Sequence, residues 1–137
     1  MAGETILIVD DNPVNTKLIR VLLTGAGYDV RSAGDANEAL DVLKQFTPRL
    51  ILMDIQLPGI DGLELTRRLK SDSATRDITV LGLTAYAMKG DEARVLAAGC
   101  DGYIPKPIDT RTLPGRIADY LTRRQAADNT QRRSRDE

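Results

Sequence analysis

Asp10 and Asp11 stand side by side directly after the apolar run Thr5-Ile6-Leu7-Ile8-Val9, and Asp54 directly follows Leu50-Ile51-Leu52-Met53. Thr84 closes the apolar stretch that begins at Ile78, and Lys106 comes just after Gly102-Tyr103-Ile104. Short apolar runs of this kind are what strands buried on both faces look like in sequence. In an open parallel sheet, ligands bind beyond the carboxyl ends of the strands, so carboxylates, a hydroxyl and an ammonium converge on one edge. If the first and third strands are neighbours, about 4.8 Å apart, Asp10, Asp11 and Asp54 form a compact anionic cluster. Carboxylates this close repel one another, and the repulsion is relieved by a cation or by raised pKa values. A hard ion such as Mg²⁺ would suit oxygen ligands of this type and could also bridge an incoming phosphate. Taken singly, each residue has a plainer use. Asp-Asp-Asn before a helix is an ordinary capping sequence, Thr84 could be a turn hydroxyl, and Lys106 a surface lysine. The joint placement carries the reading.

The rest of the chain narrows the chemistry. With 137 residues, there is room for one ordinary domain around one core. Hydrophobic residues make up 42% and charged residues 28%, the balance of a globular protein in water. The formal net charge of −1 gives no electrostatic reason to expect nucleic acid or a membrane as partner. There is no histidine, which removes His-based zinc sites, His-assisted nucleophiles and any phosphohistidine role for this chain. Cys100 is the single cysteine, so no internal disulfide can form and a reducing, cytoplasmic setting is expected. The first apolar stretch stops at Asp10, too soon for a signal peptide or a membrane span.

Helical patterns fill the gaps between the apolar runs. Pro13 suits the first turn of a helix capped by Asn12 or Asp11, with Val14, Leu18, Val21 and Leu22 on one face and Gly25 and Gly27 at its end. Asp29 to Ala33 reads as a weaker strand. Asp35 and Glu38 resemble a capping box for a helix with Ala36, Ala39, Leu40 and Leu43 as its stripe. Later helices present Leu65 and Leu69, then run from about Met88 to Ala98, and last open at Asp109 with Leu113, Ile117 and Leu121 inward. Strands alternating with helices predict an α/β domain, a doubly wound five-stranded parallel sheet with five helices; the order 2-1-3-4-5 is favoured, and other doubly wound orders stay open. The domain is expected over residues 1–121. From 122 to 137 the pattern fails, and a frayed helix end with a disordered charged tail is expected.

The ordered blocks Ile6-Leu7-Ile8-Val9-Asp10-Asp11-Asn12, Leu52-Met53-Asp54-Ile55-Gln56-Leu57-Pro58, Ile60-Asp61-Gly62, Leu83-Thr84-Ala85 and Tyr103-Ile104-Pro105-Lys106-Pro107 resemble the receiver domain of two-component response regulators. The likeness spans roughly residues 5 to 121, and the chain is similar to chemotaxis-type single-domain receivers, whose fold is flavodoxin-like. Ile51 to Pro58 and Ala85 to Asp91 also look like the small cell-cycle-type receivers without output domains.

The resemblance implies a signalling switch rather than a turnover enzyme. It makes Asp54 the phosphoacceptor, with Asp11, Asp54 and the Gln56 carbonyl as ligands of Mg²⁺ or Mn²⁺, and Asp10 acting through metal-bound water. Lys106 and Thr84 would contact phosphoryl oxygens, Tyr103 would be the switch aromatic paired with Thr84, and Lys106-Pro107 would be a cis peptide. Gln56 and Tyr86 would set the phosphoryl lifetime. The implied partners are a histidine kinase or histidine phosphotransfer protein and a downstream protein target, with output through helix four, strand five and helix five. A monomer or weak dimer is expected, and with no output domain expected after the last helix the chain would either act by binding another protein or be a receiver cut from a larger one. Two alternatives stand beside this reading. A haloacid-dehalogenase-type phosphohydrolase would want its nucleophile after strand one with a second aspartate two residues on, where Asn12 follows Asp10. A receiver-like module without phosphotransfer would have no need of the complete set Asp10, Asp11, Asp54, Thr84 and Lys106.

Overall fold

Strands apolar on both faces are stable only when covered on both, and the chain meets that demand with helices on either side of one sheet. The computed structural model describes residues 4–56, 62–84 and 89–122. Its strands are β1 (Thr5–Val9), β2 (Asp29–Ala33), β3 (Leu50–Asp54), β4 (Thr79–Thr84) and β5 (Gly102–Pro105), and its helices α1 (Pro13–Gly25), α2 (Ala36–Gln45), α3 (Gly62–Ser71) and α4 (Lys89–Ala97). A fifth helix, α5, covers residues 113–122. All strands pair in parallel in the order β2-β1-β3-β4-β5, as the alternation predicted.

Period-two alternation along the strands splits the core into two layers. Leu7, Val9, Ile51, Met53 and Val80 point to one face, where Ala36 and Ala39 of α2, Leu65 and Leu69 of α3 and Val95 of α4 cover them. Ile6, Ile8, Leu50, Leu52, Leu81 and Leu83 point to the other, beneath Ile19 and Leu23 of α1 and Leu113, Ile117 and Leu121 of α5. Each large side chain so buried contributes about 1.5–3 kcal/mol relative to exposure. Gly82 on β4 lets α4 come close, since a Cβ there would sit 2.9 Å from Val95 Cγ1.

The caps follow the local sequence. Asn12 is the N-cap of α1, its side-chain oxygen accepting from the Val14 N–H at 2.9 Å. Asp35 caps α2 by accepting from the Glu38 N–H at 2.8 Å, while Glu38 accepts from Gly34 at 3.0 Å, one residue earlier than a standard capping box. One expectation is corrected. Of the stripe Val14, Leu18, Val21 and Leu22, only Leu22 packs against the core: Val14 is 74% and Val21 61% exposed, and Ile19 and Leu23 face the sheet. Both sets recur at helical spacing, so periodicity alone does not choose between them. The Thr16 hydroxyl, donating to the Asn12 carbonyl at 3.1 Å and reaching that of Asp10 at 3.5 Å, marks the side of the helix that faces the strand end. Residues 57–61, 85–88 and 123–137, which include Tyr86, Met88 and the expected charged tail, lie outside the described residues.

Candidate functional site

The register puts the predicted site residues side by side. Val9 pairs with Met53, Asp54 with Leu83, and Thr84 with Pro105, so Asp10, Asp54, Thr84 and Lys106 all fall at the carboxyl ends of adjacent strands. The order reverses between β1 and β3, the switch point at which such sheets open a crevice. Asp10, Asp54 and Thr84 are buried there, while Asp11 and Gln56 are exposed at the rim.

The two buried carboxylates are held alike. Asp10 Oδ1 accepts from the Asn12 N–H, and Asp54 Oδ1 accepts from the Gln56 N–H, each at 2.9 Å. Each therefore has one oxygen fixed by the backbone two residues on, and turns its Oδ2 toward Lys106. The Lys106 Nζ lies 3.3 Å from Asp54 Oδ2 and 3.6 Å from Asp10 Oδ2. Lys106 is positioned by its own N–H, which donates to the Thr84 carbonyl at 2.7 Å, and is joined to Pro107 by a cis peptide.

One ammonium does not balance this site. One oxygen from each of Asp10, Asp11 and Asp54 lies within 4.8 Å of the other two. Asp10 Oδ2 is fully buried and accepts no hydrogen bond. Burial pushes the Asp10 carboxyl above its ordinary range; the Asn12 N–H and Lys106 pull it down by less, and Asp54 adds to the rise. An all-oxygen cluster with an orphaned buried carboxylate oxygen fits a hard divalent cation.

Similarity to known proteins agrees with the geometry. A sequence model of the response regulator receiver domain matches residues 6–118. This chain belongs to the response-regulator receiver family. It is 46% identical over 118 residues to the polar-differentiation response regulators DivK of Brucella anthropi and Brucella ovis, covering 86% of this chain and 96% of each relative. Among solved structures, it resembles a putative response regulator from Chloroflexus aurantiacus (33% identity, TM-score 0.83, 88% of this chain and 98% of that one). It also resembles the chemotaxis protein CheY4 of Vibrio cholerae (26% identity, TM-score 0.81, 86% and 98%). A third is the receiver domain of a sensor histidine kinase from Pseudomonas aeruginosa, solved with a magnesium ion coordinated in its active-site cleft (34% identity, TM-score 0.76, 89% and 97%). As a receiver, the chain is a signalling protein of a two-component system, which takes the place of the phosphohydrolase alternative.

Of the sequence-predicted site residues of this receiver, Asp10, Asp11, Asp54 and Lys106 converge. Thr84 is buried in the neighbouring strand end, and Tyr103 on β5 is half-buried against the core layer of α2, α3 and α4. Tyr86 lies outside the described residues. Sequence reasoning missed the surface beside the site. A cleft of about 320 Å³ runs from Asp10 and Asp11 along Thr16, Lys17 and Arg20 to Ser32. Next to it, an apolar groove of about 500 Å³ is lined by Pro13, Val14, Lys17, Leu18 and Val21. The signal was the second apolar stripe of α1, which looked like core.

Proposed function

We propose that this receiver accepts a phosphoryl group on Asp54 from the phosphohistidine of a histidine kinase or histidine phosphotransfer protein, in the cytoplasm. The observation that carries the reading is a buried aspartate with one oxygen fixed by the backbone and the other facing Lys106, beside an acidic pair whose buried Asp10 Oδ2 accepts no hydrogen bond. Asp10, Asp11 and Asp54, with the Gln56 carbonyl, would hold Mg²⁺ or Mn²⁺; when bound, the ion supplies charge neutralisation for carboxylate and phosphoryl oxygens. Phosphoryl transfer asks the protein mainly for positioning and electrostatic stabilisation. The Asp54 carboxylate forms the new O–P bond while the P–N bond to the donor imidazole breaks and the imidazole keeps the electron pair. Lys106 takes one phosphoryl oxygen and Thr84 another.

The phosphorylated side chain carries more charge and more acceptor oxygens than the carboxylate. A bond from the Thr84 hydroxyl available only to that state provides the differential contact that a population shift requires. Thr84 then moves inward, Tyr103 follows, and the surface of α4, β5 and α5 changes for the downstream target. Thr84→Ala should still accept the phosphoryl group but lose that surface change, read by hydrogen exchange; a full change in the variant refutes the switch. By resemblance to the family, Gln56 and Tyr86 would set the phosphoryl lifetime. The phosphodonor docks on α1, whose exposed Val14, Leu18 and Val21 offer a helix-binding face beside the acidic edge. The receiver domain is assigned to residues 1–121 on the sequence pattern.

The test is intact-mass measurement after incubation with Mg²⁺ and an acyl phosphate. Wild type should gain one phosphoryl group and Asp54→Asn none; equal adducts in both would overturn the assignment.

A further inference from the structure

At the amino ends of the strands, opposite Asp54, a second charged cluster serves no role in phosphoryl transfer. Lys70, near the end of α3, donates from Nζ to the Ile78 carbonyl at 2.8 Å, to Asp101 Oδ2 at 3.0 Å and to the Arg76 carbonyl at 3.2 Å. Asp101 Oδ2 also accepts from the Val80 N–H at 2.9 Å, and the Asp101 N–H donates to the Val80 carbonyl at 2.8 Å. One ammonium thus gathers the end of α3, the loop before β4, the start of β4 and the loop leaving α4. Hydrogen bonds to charged groups in a partly enclosed setting are stronger than neutral ones, and the Lys70 side chain is only 20% exposed.

The methylene stem of Lys70 is used as well. The last turn of α4 closes through Gly99, whose φ of 108° belongs to the left-handed region. A Cβ on Gly99 would stand 2.9 Å from Lys70 Cγ, so the stem lies directly on that turn. Val95 is seated over Gly82, and Ala98 and Cys100 are buried, all toward the C-terminal end of α4. Ala93, Arg94, Leu96 and Ala97 are exposed. The seated residues thus lie beside the turn held by Lys70, at the end of α4 away from Thr84.

We propose that the Lys70–Asp101 clasp is the fulcrum of α4, holding its C-terminal turn against α3 and β4 whatever the state of Asp54, so that a change begun at Thr84 emerges as a swing of the helix's first turns. This inference rests on the phosphorylation switch described above. Two arrangements of α4 about a fixed end make a two-state element, which is what converts a small shift at a site into a surface change.

The experiment is hydrogen exchange by mass spectrometry on the full chain: wild type, Lys70→Met and Asp101→Asn, each with Mg²⁺, with and without an acyl phosphate, and with intact mass recorded on the same samples. In wild type, phosphorylation should change exchange in the first turns of α4 and leave residues 96–101 unaltered. In Lys70→Met, residues 96–101 should exchange about tenfold faster before phosphorylation and respond to it afterwards. Asp101→Asn keeps an acceptor for Val80 and should lie between. If wild-type residues 96–101 respond as strongly as the first turns, or Lys70→Met leaves them unchanged, the fulcrum is refuted. A missing phosphoryl adduct would instead count against the switch itself; equal exchange of unmodified wild type and Lys70→Met would still overturn the clasp.

Discussion

Replacing Lys106 with methionine leaves the hydrophobic stem and removes the only ammonium that faces the Asp10 and Asp54 carboxylates among the described residues. At 3.3 and 3.6 Å and an effective dielectric of about 20, each contact is worth roughly 5 kcal/mol before desolvation. The desolvation of the lysine, which is 19% exposed, offsets much of that. Breaking a buried pair by removing one partner costs about 3–5 kcal/mol, and partial exposure places this case near the lower value. For a domain of this size, a loss of about 3 kcal/mol lowers Tm by roughly 10 °C. The distinctive expectation concerns the cation. With Lys106 gone, the cluster is more negative, so a divalent ion should bind more tightly and stabilise the variant more than wild type. At saturation the deficit narrows by about 1.4 kcal/mol for each tenfold by which the variant binds the ion more tightly than wild type, so somewhat more than tenfold tightening halves a deficit of about 3 kcal/mol. Thermal melting at pH 7.5 should therefore show a large deficit in chelator that shrinks to less than half in saturating Mg²⁺. The same deficit in both buffers would refute the idea that Lys106 and the ion neutralise one cluster.

Three further outcomes follow from the same geometry. The Asp10 carboxyl is raised in the folded protein, chiefly by burial, so the folded state holds that proton more firmly than the unfolded chain. Its contribution to stability is present below the unfolded value and lost as pH rises through the folded one; Asp10→Asn should melt higher than wild type in chelator at pH 7.5, with the gap closing toward pH 4. Gly62→Ala would bring a Cβ to 2.8 Å from Ile55 Cα and 2.9 Å from the Asp54 carbonyl carbon, both backbone atoms unable to yield; urea unfolding should show a loss of about 3 kcal/mol or more. Val14→Glu and Val21→Glu alter exposed positions, so each should change stability by about 0.5 kcal/mol or less. They should slow transfer from a phosphohistidine protein without slowing transfer from an acyl phosphate, and equal slowing would argue against docking on α1.

Much of the fold was legible because apolar runs bounded by turns leave few alternatives. β1, Thr5–Val9, and β2, Asp29–Ala33, match their expected limits, and short right-handed connections leave few topologies, of which the favoured order is the one observed. The site residues were legible because each closes a strand, and parallel register brings strand ends together whatever the loops do. The sheet-facing side of α1 was not legible. Val14, Leu18 and Val21 recur at the same spacing as Ile19 and Leu23, and only the helix's attachment to the strand end decides which set turns inward. The Lys70–Asp101 clasp was equally hidden: its members are 31 residues apart and each looks like an ordinary surface charge until α3 and the α4–β5 loop are packed together.

The most direct measurement is position-resolved mass spectrometry of the protein after exposure to an acyl phosphate, in Mg²⁺ and in excess chelator. A single phosphoryl group is expected on the peptide that contains Asp54, abundant with the ion and nearly absent without it. A phosphoryl group on Asp10 or Asp11, or one that forms equally well in chelator, would contradict it.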